Sequence, residues 1–211
     1  DRIESRGLGD VYKRQASHGV SRLKMYCERI NKKLINPRAK IKVKNISGSV
    51  SLIDANNSIG FVAAEFAIKE AIIKAKKTGI GLVGVKKSGH YGLSSYYIEK
   101  AVKKKLIALC FTNAPPAIAP YGSKKKLFGT NPIAFGVPTY SKVPFIFDSS
   151  MSKINRGKIR VALKQGIKIP YGVALDRNGK ITTNPKKALE GVQLPIGDFR
   201  GSGLSWMVDI L

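Results

Sequence analysis

The chain holds two histidines, and both sit where chemistry is open to them. His18 lies in Ala16-Ser-His-Gly-Val-Ser-Arg22 and His90 in Ser88-Gly-His-Tyr-Gly92. Both segments are polar and carry glycine, which lets a ligand approach the backbone closely. Imidazole exchanges protons near neutral pH. Arg22 follows His18 by four residues, so the two share a face if the segment is helical. A guanidinium can grip a carboxylate through two parallel hydrogen bonds. The pair therefore suits a 2-hydroxy or 2-oxo acid, with arginine on the carboxylate and histidine exchanging the proton on the oxygen at carbon 2. The plainer alternative is that each histidine is structural or simply exposed.

Other chemistries find less support. Gly79-Ile-Gly-Leu-Val-Gly84 matches the dinucleotide fingerprint, but it follows a helical pattern and opens a strand pattern. The fingerprint needs the reverse order, so these glycines read as a helix cap. No phosphate-binding P-loop and no hydrolase nucleophile elbow occurs. Two cysteines and two histidines without paired spacing do not make a zinc site, and no metal is expected. Thr112-Asn-Ala-Pro-Pro116 follows an expected strand and Gly129-Thr-Asn-Pro132 precedes another. Loops at strand ends often hold ligands, although proline-fixed turns explain both, and Asp148-Ser-Ser150 could simply end a strand.

These residues need a scaffold. The chain has 211 residues, 43% of them apolar, enough for one large domain or two small ones. Apolar spacing predicts helices over Arg22–Leu34, Gly60–Lys77 and Leu93–Lys104. An edge strand pair is expected in Lys40–Ser51, and buried strands at Ile80–Val85 and Leu106–Thr112. Short strands are expected at Ile133–Val137 and Phe145–Phe147, and a hairpin over Tyr171–Gly191 around the turn Asp176-Arg-Asn-Gly179. This alternation gives an α/β class with a mixed sheet. Asp10-Val-Tyr-Lys-Arg-Gln15 reads as a translated library adapter, so residues 1–15 are set aside as a non-native leader. Gly201–Leu211 opens an amphipathic helix with no cap, and a continuation is expected beyond it. No apolar run is long enough for a membrane span, and two cysteines fit a reducing, cytoplasmic setting.

Taken in order, seven segments resemble the malate/L-lactate dehydrogenase type 2 family, which includes sulfolactate and ureidoglycolate dehydrogenases and cyclic imine reductases. They are Ser17-His-Gly-Val-Ser-Arg-Leu23, Ala75-Lys-Lys-Thr-Gly-Ile-Gly81, Ser88-Gly-His-Tyr-Gly92, Thr112-Asn-Ala-Pro115, Phe128-Gly-Thr-Asn-Pro-Ile-Ala134, Phe147-Asp-Ser-Ser150 and Gly201-Ser-Gly-Leu204. The resemblance implies a truncated, sulfolactate dehydrogenase-like α/β fold with a cofactor domain that is not Rossmann. Residues 16–78 would form a helical, substrate-side segment, and 79–211 a cofactor region incomplete at its C-terminal end. NAD- or NADP-dependent oxidoreduction of a small anionic 2-hydroxy or 2-oxo acid is implied, by a homodimer when the chain is whole. The resemblance assigns proton transfer to Ser17 with His18, or to His90, and substrate contacts to Arg22 and Thr130. It assigns cofactor contacts to His90, Tyr91, Gly92, Asn113, Ala114, Asp148, Ser149, Ser150, Arg156, Gly157 and Arg200. Ala114 departs from a serine that members often carry, and Lys158 from a carboxylate found in some.

Two other classes compete. Thirty-eight lysines and arginines against thirteen acids give +25, which could serve nucleic acid. The lysines are spread along the chain, however, and the aromatic–basic interleaving of RNA readers is absent, so neither a nucleic-acid nor a membrane partner is expected. A non-catalytic metabolite-binding relative is the other reading, and Ser17, His18, Arg22 and His90 argue against it.

Overall fold

The computed structural model describes residues 22–141 and 143–211. The leader expected at 1–15, and the candidates Ser17 and His18, lie outside the described residues. The described chain gathers into two units, one of residues 22–110 and 134–147, the other of 111–133 and 148–211. Residues 78 and 79 both belong to the first.

The first unit opens on the short helix α1 (Leu23–Asn31). Strands β1 (Lys42–Asn45) and β2 (Val50–Asp54) pair antiparallel, with Val43 opposite Ile53. Helix α2 (Gly60–Thr78) then crosses over to β3 (Leu82–Lys86), which lies parallel to β2 with Val50 opposite Leu82. This is a βαβ crossover carrying one antiparallel strand at its edge. Lys76 and Lys77 occupy the last turn of α2, where the helix dipole favours positive charge. Gly79, at φ 85°, donates its N–H to the Ala75 carbonyl and stops the helix. A Cβ on Gly81 would run into the Ala71 carbonyl, so the entry to β3 also needs glycine. The fingerprint-like glycines thus close a helix and start a strand. Lys74, on the buried side of α2, donates to the Ser47 and Gly48 carbonyls at 3.1 and 3.3 Å and fastens the β1–β2 turn.

Helix α3 (Ser94–Val102) leads into a second three-stranded sheet, in the order β4 (Ala108–Phe111), β5 (Ile133–Val137), β6 (Phe145–Ser149). Ile98 and Val102 pack on Ala134, with Ala108, Cys110 and Ile146 around them. Gly136 of β5 admits the helix, because a Cβ there would strike Ile98.

Helices α2 and α3 are joined by Lys100, whose Nζ donates to the two Glu65 carboxylate oxygens at 2.8 and 2.6 Å. That bond holds the Glu65 carboxyl below its usual range, and Glu65 in turn raises the Lys100 amine. A depressed carboxylate stabilises fully above its ordinary value and loses that effect as pH falls through the folded value. Thermal melts at stepped pH should therefore show Lys100→Met less stable than the parent near neutrality. The difference between the two should shrink on acidification through the carboxylate range.

The second unit holds α4 (Arg156–Gln165), β7 (Ala174–Leu175), α5 (Pro185–Glu190), β8 (Val192–Gln193) and α6 (Phe199–Ile210). The Asn155 side chain caps α4 by accepting the Lys158 N–H at 2.8 Å. One core gathers Ile154, Ile159, Ala162, Ile169, Ala174 and Ala188, and a second gathers Ile118, Phe128 and Met151.

Three expectations need correction. Strands β3 and β4 are not buried: Leu82 is 57% and Leu109 60% exposed. Each ends its sheet order, and an apolar run does not report what covers an edge strand. The hairpin expected to end at Gly191 stops earlier, because Pro185–Glu190 is a helix. Asn184 caps it, accepting the Lys187 N–H at 3.1 Å, and Pro185 takes the first turn, where its missing N–H costs nothing. The turn itself forms as expected: Asp176 Oδ1 accepts the N–H groups of Asn178 and Lys180 at 2.9 and 3.0 Å.

Candidate active site

In the first unit, helix geometry and one loop bring three side chains together. Arg22 immediately precedes α1, and Tyr26 follows one turn later on the same face. The Tyr26 hydroxyl is 2.7 Å from Nδ1 of His90, in the loop between β3 and α3. The Gly92 N–H donates to the same Nδ1 at 3.3 Å. The Tyr26 ring meets Phe61 of α2 edge-on, 5.5 Å between centroids. Burial pushes the Tyr26 phenol above its ordinary value, with the nearby Arg22 guanidinium pulling the other way. The phenol is therefore protonated at neutral pH. Arg22 is half-buried, and one of its guanidinium nitrogens lies 4.0 Å from Met25 Sδ.

The loop that presents His90 is fixed on several sides. A Cβ on Gly60 would collide with the carbonyls of Gly89 and His90, so the start of α2 seats directly against the loop. Gly92 takes φ 86°, and a Cβ there would meet the Phe61 ring. The Tyr91 hydroxyl pairs with Ser94 Oγ at 2.8 Å, and the Tyr97 hydroxyl donates to the Tyr91 carbonyl at 2.7 Å. The imidazole itself is exposed. Of the sequence candidates, Arg22, His90, Tyr91 and Gly92 fall in this unit.

The other candidates among the described residues lie in the second unit. The Ala114 N–H donates to Asn131 Oδ1 at 3.1 Å, and the Thr130 carbonyl accepts the Met151 N–H at 2.8 Å. Asn113, Ala114 and Thr130 thus share one framework. Asp148, Ser149 and Ser150 run out of β6, all half-buried, with Ser149 Oγ donating to the Ser150 carbonyl and Ser150 Oγ 3.1 Å from Ser152 Oγ. Arg156 and Gly157 open α4. One nitrogen of the Arg156 guanidinium donates to the Leu189 carbonyl at 3.1 Å, and burial, ahead of the neighbouring charge of Arg160, lowers its pKa. At least part of Arg156 thus ties α4 to α5. Arg200 is exposed, with its guanidinium 4.9 Å over the Phe199 ring.

Sequence reasoning missed two residues. Tyr26 fits the apolar spacing that predicts the Arg22–Leu34 helix, and only its contact with a residue 64 positions away shows its polar end at work. Asn131 was read as turn chemistry, yet it is fully buried. The signal available was its place between Thr130 and Pro132, in a loop already singled out. Among the described residues no group of three or more metal-binding side chains occurs, and no helix is long and apolar enough to cross a membrane.

The comparisons with known proteins agree with one another. A family model described as malate/L-lactate dehydrogenase matches residues 12–211. The (2R)-3-sulfolactate dehydrogenase (NADP(+)) of Chromohalobacter salexigens is 39% identical over 196 residues, 93% of this chain and 59% of that protein. The solved sulfolactate dehydrogenase from Methanocaldococcus jannaschii superposes with a TM-score of 0.85 at 41% identity, covering 92% of this chain and 56% of its own. A delta1-piperideine-2-carboxylate reductase from Pseudomonas syringae gives 0.89 at 32% identity, over 92% and 59%. The chain spans little more than half the length of these relatives.

Proposed function

The chain belongs to the malate/L-lactate dehydrogenase family, and on that premise we propose that the protein interconverts a small 2-hydroxy acid and its 2-oxo acid with NAD or NADP. Cyclic imine carboxylates are the alternative substrates, since they place a carboxylate beside a reducible carbon in the same way. The reading draws most support from His90, held at Nδ1 by Tyr26 with Arg22 one turn before that tyrosine.

The donor chemistry of the chain fits a nicotinamide dinucleotide. Half-buried hydroxyls at Ser149 and Ser150 and the positive start of α4 at Arg156–Gly157 suit phosphate and ribose oxygens. Asn113 offers an amide on a loop that the Ala114–Asn131 bond fixes, and the family resemblance assigns Tyr91, Gly92 and Arg200 cofactor contacts as well. The exposed His90 ring, with glycine on either side of its loop, leaves room for a planar ligand. When bound, the cofactor supplies or accepts the hydride.

The protein's own residues do the rest. Arg22 holds the carboxylate through its planar fork, and the family resemblance assigns Thr130 a substrate contact as well. On reduction the protonated His90 ring gives its Nε2 proton to the oxygen at carbon 2 and becomes neutral with its remaining proton on Nδ1, and on oxidation the neutral ring takes the proton back through Nε2. When Nδ1 carries a proton, Tyr26 can accept it, and when it does not, Tyr26 can donate. The ring therefore keeps one orientation through the proton cycle. Ser17 and His18 are the second candidate pair for that proton. A homodimer is part of the same reading, supported by exposed apolar side chains such as Phe66, Ile73, Leu82 and Leu109. So is a cytoplasmic setting, where Cys27 and Cys110 remain thiols.

The test is cofactor oxidation followed by absorbance, using the whole encoded protein. NADH and NADPH are each offered with oxaloacetate, a sulfonated 2-oxo acid, simple 2-oxo acids and cyclic imine carboxylates. Oxidation with at least one pairing is expected. A folded protein that neither oxidises nor binds either cofactor would overturn the reading.

A further inference from the structure

The second unit contains a buried junction that no candidate role accounts for. Asn131 is 0% exposed and holds a positive φ of 32°. Its Oδ1 accepts the Ala114 N–H at 3.1 Å. Its Nδ2 donates to the Ser205 carbonyl at 3.1 Å and to Asp209 Oδ1 at 3.0 Å. One amide thus ties the loop at 113–114, seventeen residues upstream, to two successive turns of α6. A Cβ on Gly129 would collide with the Ala114 carbonyl and approach Asn131 Oδ1 to 2.6 Å, so the Gly129 backbone packs directly against that of Ala114.

Helix α6 grips the same stretch elsewhere. The Tyr121 N–H donates to Ser202 Oγ at 2.8 Å. Phe128 meets Trp206 edge-on at 5.1 Å between centroids. Along this stretch, Asn131 is the side chain that reaches both α6 and the backbone of the 113–114 loop. It also adjoins Thr130 in sequence, and the Thr130 carbonyl is separately fixed by the Met151 N–H.

We propose that Asn131 is a positioning residue: acting through α6, it sets the backbone of Ala114 and of Thr130, and with them the affinity of the site for cofactor and acid. The inference rests on the functional reading above, which places ligand contacts at Asn113, Ala114 and Thr130. Its chemistry is specific. A buried amide uses its acceptor on one loop and both donor directions on α6, so no other side chain of similar size reproduces the pattern. Asp209 supplies a charged acceptor, which strengthens its share of the link.

The test compares KM with kcat in the whole encoded protein. Asn131→Gly removes both arms while accepting the positive φ. It should raise the KM of cofactor or acid by about tenfold, the change expected from losing one or two net hydrogen bonds, with kcat at saturation within about threefold of the parent. Asp209→Ala, an exposed helix position, leaves the Ser205 carbonyl as acceptor and should move KM the same way by less. A merely structural role lowers the active fraction, which reduces kcat and leaves KM unchanged, and that outcome overturns the proposal. If Asn131→Gly does not fold, Asp209→Ala decides: a raised KM supports the proposal and an unchanged one overturns it. A parent protein that neither binds cofactor nor turns over fails the functional reading itself, and this is seen before any variant is measured.

Discussion

Replacement of His90 by glutamine should cut turnover by about two to four orders of magnitude, the range a positioned acid–base group contributes. Glutamine keeps a polar group of similar reach but cannot carry the proton. The fold should survive, because the imidazole is exposed and its loop is fixed by Gly60, Gly92 and the Tyr91–Ser94 and Tyr97–Tyr91 bonds. Tyr26→Phe sharpens the assignment. It keeps the edge-on contact with Phe61 and removes only the hydroxyl at Nδ1. The loss expected is about tenfold, one net hydrogen bond's worth, together with a shift in the pH profile of kcat/KM. A mere packing role for Tyr26 would leave that profile unmoved. If His90→Gln instead keeps turnover within about threefold of the parent, the proton belongs to the Ser17-His18 pair.

What could be read from the sequence divides along physical lines. Helix α2 was legible because its apolar spacing, terminal lysines and Gly79 all point to one conformation. The fingerprint-like glycines could be dismissed for the same reason: their order relative to helix and strand was visible in the pattern. Strands β3 and β4 were legible as strands but not in their burial, since the same apolar run serves a covered or an uncovered edge. Helix α5 escaped because six residues are too few to establish a period, although its Asn184-Pro185 start was in plain view. In the site, Arg22 and His90 stood out by residue type and glycine context. Tyr26 and Asn131 did not, because what distinguishes them is a partner far along the chain. A tyrosine on an apolar stripe and an asparagine before proline each have a sufficient local explanation.

Arg22 is where the acid substrate should be felt. Its position one turn ahead of Tyr26 follows from the start of α1, and its charge already acts on the Tyr26 phenol. A carboxylate bound there would gain a planar, two-pronged, charge-assisted contact. Arg22→Met retains much of the length and removes the charge. KM for the acid should rise by about thirty- to a hundredfold, as expected when a hydrogen-bonded charge loses its partner. Arg22→Lys should recover only part, because an ammonium offers a point charge and not a fork. The same steady-state assay, run with the acid and with its neutral amide, separates carboxylate recognition from a general loss of structure. The parent should prefer the acid strongly, and Arg22→Met should nearly abolish that preference while leaving the amide's kcat/KM close to the parent value. Equal losses on both substrates would remove Arg22 from the carboxylate. Tyr26 and His90 would then stand as a proton-handling pair whose substrate is anchored by other groups.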